Sequence, residues 1–233
     1  MRPLKKQKCA YFLAVACVTV VWLVLQHGGT GPDKALAMPA NQSHCWERYQ
    51  RDIDRSSSKA FIPGRSVMME PTSVKMLCGL LTPHTRVLEW GSGGSTLFFS
   101  QFVRRWDTIE HDTAWTLHMK TLVAGMPAVH LHAAAHSWNK IADGTYEQFT
   151  EYVDLPSLWG LQYDVILVDG RARVACVHAI ARYNLIVPGG LVVIHDWERS
   201  EYKAVLGEFD LVQEDTAGPR HLGVLQLKQN NKP

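Results

Sequence analysis

The run Glu89-Trp90-Gly91-Ser92-Gly93-Gly94-Ser95 puts an acid directly ahead of a glycine-rich stretch. Glycines let a chain turn sharply from strand to helix and let a ligand approach the backbone closely. A dinucleotide site would want one more glycine where Thr96 stands, and usually no acid ahead of the loop. Glu89 instead suits a ligand carrying an amino group and a sulfonium charge; an ordinary glycine-rich turn would read the same way. A second constellation is Asp169 and Asp196, 27 residues apart and each ending an apolar run. Open α/β sheets hold their active sites at the C-terminal ends of strands, so both carboxylates are expected to face one cleft. His195 titrates near neutrality and could act as general base, although strand alternation turns one of the neighbours His195 and Asp196 away from the cleft. Arg171 and Arg173 could hold an anionic substrate group such as a uronate or sulfate, or could be solvated arginines paired with local acids. Asp169 could equally cap the following helix or bind one of these arginines.

The elements that must position these residues follow from periodicity. A helix is predicted from Pro71, with Val74, Leu77, Cys78 and Leu81 at helical spacing. A strand over Arg86–Trp90 feeds the glycine loop, and Phe98, Phe99, Phe102 and Val103 recur helically behind it. A second strand ends at Ile109-Glu110; a helix over 115–123 and a strand over 128–132 follow. Then come a strand over 165–169, a helix over 174–185, a turn at Pro188-Gly189-Gly190 and a strand over 191–195. Strands over 209–212 and 222–227 are close enough in the chain to pair antiparallel. Strands too apolar to have a solvated face, alternating with helices, predict an α/β fold with a doubly wound, mostly parallel sheet and an antiparallel final strand. The long connection 136–163 carries Trp138, Tyr146, Phe149, Tyr152 and Trp159, and is expected to form a lid or substrate wall, or a helix with an aromatic core face.

The segment Glu89–Ser95 resembles motif I of class I S-adenosylmethionine-dependent methyltransferases, in which an acid, any residue, Gly, any residue and Gly follow one another. The resemblance implies a Rossmann-like domain with S-adenosyl-L-methionine as cofactor, cradled by Glu89, Gly91, Ser92, Gly93 and Ser95. Glu110, 21 residues after Glu89, is similar to the acid that binds the ribose hydroxyls; the two oxygens of one carboxylate can accept both. The run Leu185-Ile186-Val187-Pro188-Gly189-Gly190-Leu191 resembles the family's turn before its fifth strand. The likeness covers residues 67–227. It departs at Ala133-Ala134-Ala135, where the acid that often contacts adenine is absent, so the adenine pocket stays unassigned.

The spacing of Asp169 and Asp196 is similar to that of the metal-binding aspartates of caffeoyl-CoA-type O-methyltransferases. That likeness implies a divalent cation, Mg or Ca by its hard oxygen ligands, which holds substrate hydroxyls and lowers the pKa of the attacking one. Trp197 stands where that family has Asn, so the third ligand is missing from its expected place. Together these features predict methyl transfer to an oxygen acceptor, a glycan or a small molecule, with Asp169, His195 and Asp196 as the catalytic residues. Another S-adenosyl-dependent transferase on the same fold, or a membrane-anchored binding protein, remains an alternative.

The 233 residues are 46% hydrophobic and 20% charged, with a formal charge of +2. Arg2, Lys5, Lys6 and Lys8 all precede the first apolar run, which leaves the rest near neutral; the clustered basic and aromatic residues of a nucleic-acid surface are missing. Residues 9–25 carry no charge and are expected to form a transmembrane signal-anchor helix. Positive charge on the N-terminal flank then predicts a single-pass type II membrane protein of the Golgi or endoplasmic reticulum. Residues 1–8 would be a cytosolic tail, 26–60 a lumenal stem with a short helix near 46–54, and 61–233 a lumenal domain. A cleaved signal at Ala35-Leu36-Ala37 would make the protein secreted instead. Asn41-Gln42-Ser43 is a glycosylation sequon, and Cys45, Cys78 and Cys176 allow one disulfide. Oligomeric state is not legible.

Overall fold

The computed structural model describes residues 40–55, 66–138 and 142–229. Five strands run parallel: β1 (Arg86–Trp90), β2 (Arg105–Glu110), β3 (Val129–Ala133), β4 (Tyr163–Val168) and β5 (Ile186–His195). Strand β7 (Leu222–Leu227) lies antiparallel between β5 and β6 (Phe209–Asp215), giving the order β3-β2-β1-β4-β5-β7-β6. The helices are α1 (Ala40–Arg55), α2 (Pro71–Leu80), α3 (Gly94–Phe99), α4 (Thr113–Leu122), α5 (Thr150–Asp154) and α6 (Arg173–Arg182).

Alternation along each strand sends successive side chains to opposite faces. On one face Leu88, Trp90, Ile166, Val168 and Ile194 pack with Val153 of α5 and Cys176 and Ile180 of α6. On the other, Val87, Leu167 and Val193 pack with Leu77 and Cys78 of α2 and Phe99 of α3. Both faces are covered, which is why the strands read as continuous apolar runs. Each such side chain contributes about 1.5–3 kcal/mol on burial.

From β1 the chain proceeds outward to β2 and β3, whereas β4 sits on the opposite side of β1. The strand order therefore reverses between β1 and β4, and the loops leaving their C-terminal ends diverge. That divergence opens the crevice where ligands of open α/β sheets bind.

Three local features differ from the sequence expectations. The predicted turn at Pro188-Gly189-Gly190 lies inside β5; Gly189 takes a φ of +80°, and the pairing with β4 shifts register between Tyr163 and Val165. Glycine tolerates that left-handed backbone, so the strand bulges instead of ending. Helix α1 occupies much of the segment read as a stem and is joined to α2 by a Cys45–Cys78 disulfide with a Cα separation of 5.6 Å. Closing the intervening loop of 33 residues removes unfolded-chain entropy worth about 4 kcal/mol. Cys176 is free and buried. Asn41 falls in the first turn of α1.

The membrane localisation expected from the sequence is corrected: among the described residues no helix is long and apolar enough to cross a membrane. The run 9–25 and the Ala35-Leu36-Ala37 sequence lie outside the described residues.

The connection 136–163 uses its aromatics mostly as a core face. Phe149 and Tyr152 are buried, and Trp159 stacks on His132 with ring centroids 4.1 Å apart. Trp138 reaches the crevice.

Candidate functional site

At the C-terminal ends of β1, β2 and β4 lies a cavity of about 770 Å³, a size typical of small-molecule sites. Its floor depends on two glycines facing each other. Gly91 has a φ of +100°, and a Cβ there would come within 2.6 Å of the Gly170 Cα, so the loops after β1 and β4 touch backbone to backbone. Gly94 is equally constrained, because a Cβ would lie 2.0 Å from the Ser66 carbonyl oxygen. Gly93 is different. Its backbone is extended (φ 176°) and nothing lies within 4 Å of where its Cβ would be. Its free side is the cavity, so a ligand can approach the main chain there.

Glu110 ends β2 and lines the cavity. Its Oε2 accepts from the Ser92 backbone N–H and hydroxyl at 3.1 and 3.0 Å, and its Oε1 from the amides of His111 and Asp112, both at 2.9 Å. The His111 ring Nδ1 stands 3.0 Å from the same Oε1. Asp112 caps α4 by accepting from the Trp115 N–H, and the Trp115 indole N–H donates to the Ser92 carbonyl at 2.9 Å. The loop after β1 and the start of α4 are thereby tied together around the Glu110 carboxylate.

Glu89, expected to contact the cofactor, does not line the cavity. Alternation places it on the face of Val87, fully buried beneath the loop. It accepts from the Ser95 and Thr96 hydroxyls, both at 2.5 Å, and from the Trp106 indole at 2.7 Å, while Thr96 in turn accepts from the Gly93 N–H at 3.0 Å. Burial pushes the Glu89 pKa up to about 7 against the opposing pull of these hydrogen bonds. Its place is under the loop, as an anchor. Ser95 does line the cavity.

At the end of β4, Asp169 lines the cavity, and its Oδ1 lies 2.9 Å from the His195 Nδ1. His195 and Asp196 sit behind it, outside the cavity lining. The His195 Nδ1 is also 3.6 Å from the Asp196 Oδ1, and its Nε2 is buried without a hydrogen-bond partner. Burial works to lower the His195 pKa, but the charge and hydrogen bond of Asp169, helped by Asp196, raise it overall. For Asp169, burial pulls upward and is outweighed by His195 and Arg173, so its pKa falls. Both directions favour an imidazolium–carboxylate pair. Asp196 adopts a φ of +59°, a strained position that Asp tolerates better than most residues.

Of the two readings open for Arg173, substrate binding or pairing with local acids, the structure shows the pairing, though buried and not solvated. Its guanidinium lies 3.4 Å from Asp169, 3.0 Å from Asp196 and 3.8 Å from Asp143, and it donates to the carbonyls of Gly170 and His195. The metal expectation is corrected by the same arrangement. Asp169 and Asp196 do converge, but on a guanidinium that takes the position a divalent cation would need, and among the described residues no cluster of three or more metal-ligating side chains forms. Arg171 faces the cavity.

His111 and Trp115 carried no sequence signal as cavity walls, whereas Trp138 lies in the connection expected to form one. His111, Trp115 and Trp138 line the cavity beyond Glu110. Trp138 was legible as an aromatic in a long connection; its arrival here depends on the His136 N–H bonding the His111 carbonyl at 2.8 Å, a contact without sequence signature.

No known family profile matches the chain, and no curated protein matches it in sequence. Solved structures do match. A methyltransferase-like protein of Silicibacter pomeroyi is similar at 22% identity and a TM-score of 0.53, over 71% of this chain and 92% of that one. An Escherichia coli protein assigned as a methyltransferase is similar at 13% identity and a TM-score of 0.51, over 71% and 90%. The chain thus shares with these two structures its fold, a seven-stranded Rossmann-like sheet covered by helices on both faces.

Proposed function

We propose that the protein is an S-adenosyl-L-methionine-dependent methyltransferase acting on an oxygen nucleophile. The observation that carries this reading is the pairing of a backbone open to ligand at Gly93 with a carboxylate at Glu110 across one cavity. The residues fit the cofactor: the extended Gly93 backbone would lie along its methionine part, Glu110 would accept from the ribose hydroxyls, and the rings of His111, Trp115 and Trp138 would enclose adenine. When bound, the cofactor supplies an activated methyl group on sulfur. The protein then has to exclude water, align the acceptor oxygen and accept its hydrogen bond.

Asp169 is the group placed to receive that hydrogen bond, because it alone of the three expected catalytic residues lines the cavity. His195 and Arg173 are positioning residues that fix the Asp169 carboxylate and compensate its charge, and Asp196 holds the Arg173 guanidinium from its other side. No step is assigned to a divalent cation, since Arg173 holds the two carboxylates.

Calorimetric titration with S-adenosylmethionine and S-adenosylhomocysteine tests the reading. Saturable binding of both, lost in Gly93→Asp, supports it; failure of the wild-type protein to bind either sinks it.

A further inference from the structure

Arg171 is a cation at the cavity wall that forms no direct ion pair among the described residues, Asp143 acting on it only through its field. Asp169, one residue removed across Gly170, is already matched by His195 at 2.9 Å and by Arg173 at 3.4 Å, and among the described residues no acid stands within ion-pair distance of the Arg171 guanidinium. Its Nε is buried and makes no hydrogen bond. A guanidinium carries five donors in a planar fork, and leaving a buried donor unmet costs free energy that a ligand can recover. From the β6–β7 connection, Arg220 adds to the positive field at Asp169. The acceptor end of the cavity therefore carries a guanidinium that no acid among the described residues pairs directly.

We infer that Arg171 receives an anionic oxygen group of the methyl acceptor, a carboxylate, phosphate or sulfate, and so selects acidic acceptors. This deepens the methyltransferase reading and rests on it. A planar fork matches two oxygens of such a group at once, which a neutral acceptor cannot supply. The contact would orient the acceptor from a point next to Asp169, leaving a separate oxygen free to face the methyl group. The same guanidinium chemistry could be addressed to the cofactor's own carboxylate, and the test separates the two sources.

The probe is inorganic sulfate, titrated into the full-length protein already saturated with S-adenosylhomocysteine and followed by tryptophan fluorescence, since Trp115 and Trp138 share the cavity. Sulfate is expected to bind alongside S-adenosylhomocysteine, to weaken by about tenfold or more in Arg171→Ala, and to weaken less in Arg171→Lys, which keeps a point charge without the fork. S-adenosylhomocysteine itself should bind both variants as it binds the wild type, which also shows that they are folded. Equal sulfate affinity in wild type and Arg171→Ala overturns the proposal. So does loss of S-adenosylhomocysteine affinity in Arg171→Ala with 5′-methylthioadenosine unaffected, which would give Arg171 to the cofactor's carboxylate. If wild-type protein fails to bind S-adenosylhomocysteine at all, the cofactor reading falls and the acceptor assignment with it. That failure is visible before any sulfate is added.

Discussion

Ser92 gives both its backbone N–H and its hydroxyl to one oxygen of Glu110, at 3.1 and 3.0 Å. The carboxylate proposed to take the ribose is therefore already engaged by its own loop. The hydroxyl turns about a single bond and can yield to a ribose hydroxyl, whereas the amides of Ser92, His111 and Asp112 stay in place. Removing the acceptor and removing the yielding donor should thus have opposite weights. Glu110→Ala is expected to weaken S-adenosylhomocysteine binding by about 3 kcal/mol or more, roughly a hundredfold, for two charge-assisted hydrogen bonds. Ser92→Ala should change it by about threefold or less, because the ribose donates where Ser92 did. Calorimetric titration of both variants decides; equal losses would refute this role for Glu110.

The glycines of one loop should fail in different ways. Gly93→Asp meets no protein atom within 4 Å and sits on extended backbone, so the fold should survive while cofactor binding is lost to a charge placed in the cavity. Gly91→Ala would put a Cβ 2.6 Å from the Gly170 Cα on a backbone of φ +100°, so it should lower the melting temperature before any question of binding arises. Thermal melts of the two variants test the contrast, and a destabilised Gly93→Asp with an intact Gly91→Ala would contradict it.

The glycine loop and Glu110 were legible because each is written locally: an acid and glycines at a strand end, then a second strand ending in an acid. The sheet was legible for the same reason, since its strands are apolar runs bounded by turns. Glu89 was misread because alternation tells which residues share a face but not which face meets the ligand. For Arg173 the sequence left substrate binding and pairing with local acids both open, because its acids, Asp143, Asp169 and Asp196, come from separate loops and converge only in three dimensions. The Cys45–Cys78 bond was allowed by the sequence but could not be chosen, as Cys176 was an equal candidate until the fold buried it on the opposite face.

Removing Arg173 should leave Asp143, Asp169 and Asp196 without the buried cation they share, although His195 and Arg199 still pair Asp169 and Asp196. Arg173→Met is expected to cost about 3–5 kcal/mol of stability at neutral pH, the range for stranding buried charge. In the wild type the Asp169 pKa is lowered by His195 and Arg173. Without Arg173 that carboxylate protonates more easily, so the deficit relative to wild type should shrink as pH falls. Urea denaturation at pH 5 and pH 8 reads this directly, and a deficit that grows on acidification would show that the guanidinium is not compensating these acids. In the wild type, methyl transfer should be indifferent to a chelator, because the position between Asp169 and Asp196 is held by the side chain itself.

Glu89 should impose a pH dependence of the opposite sign. Its folded pKa of about 7 lies above the ordinary 4.5, so folding favours its protonated form. The stability it contributes is complete below pH 4.5 and is lost as pH rises toward 7, where the unfolded chain releases the proton before the folded one does. A shift of that size in a fully buried group corresponds to ~3 kcal/mol. Glu89→Gln isolates the effect. Its amide oxygen can replace the Oε2 that takes the Trp106 and Thr96 donors, and its NH2 can replace Oε1 because the Ser95 hydroxyl is able to reverse and accept. The variant should therefore fold, and wild type should lose about 3 kcal/mol relative to it between pH 4.5 and 7 and nothing further above pH 8. Denaturation profiles of the two proteins that run parallel across that window would mean that Glu89 ionises as freely in the folded chain as in the unfolded one.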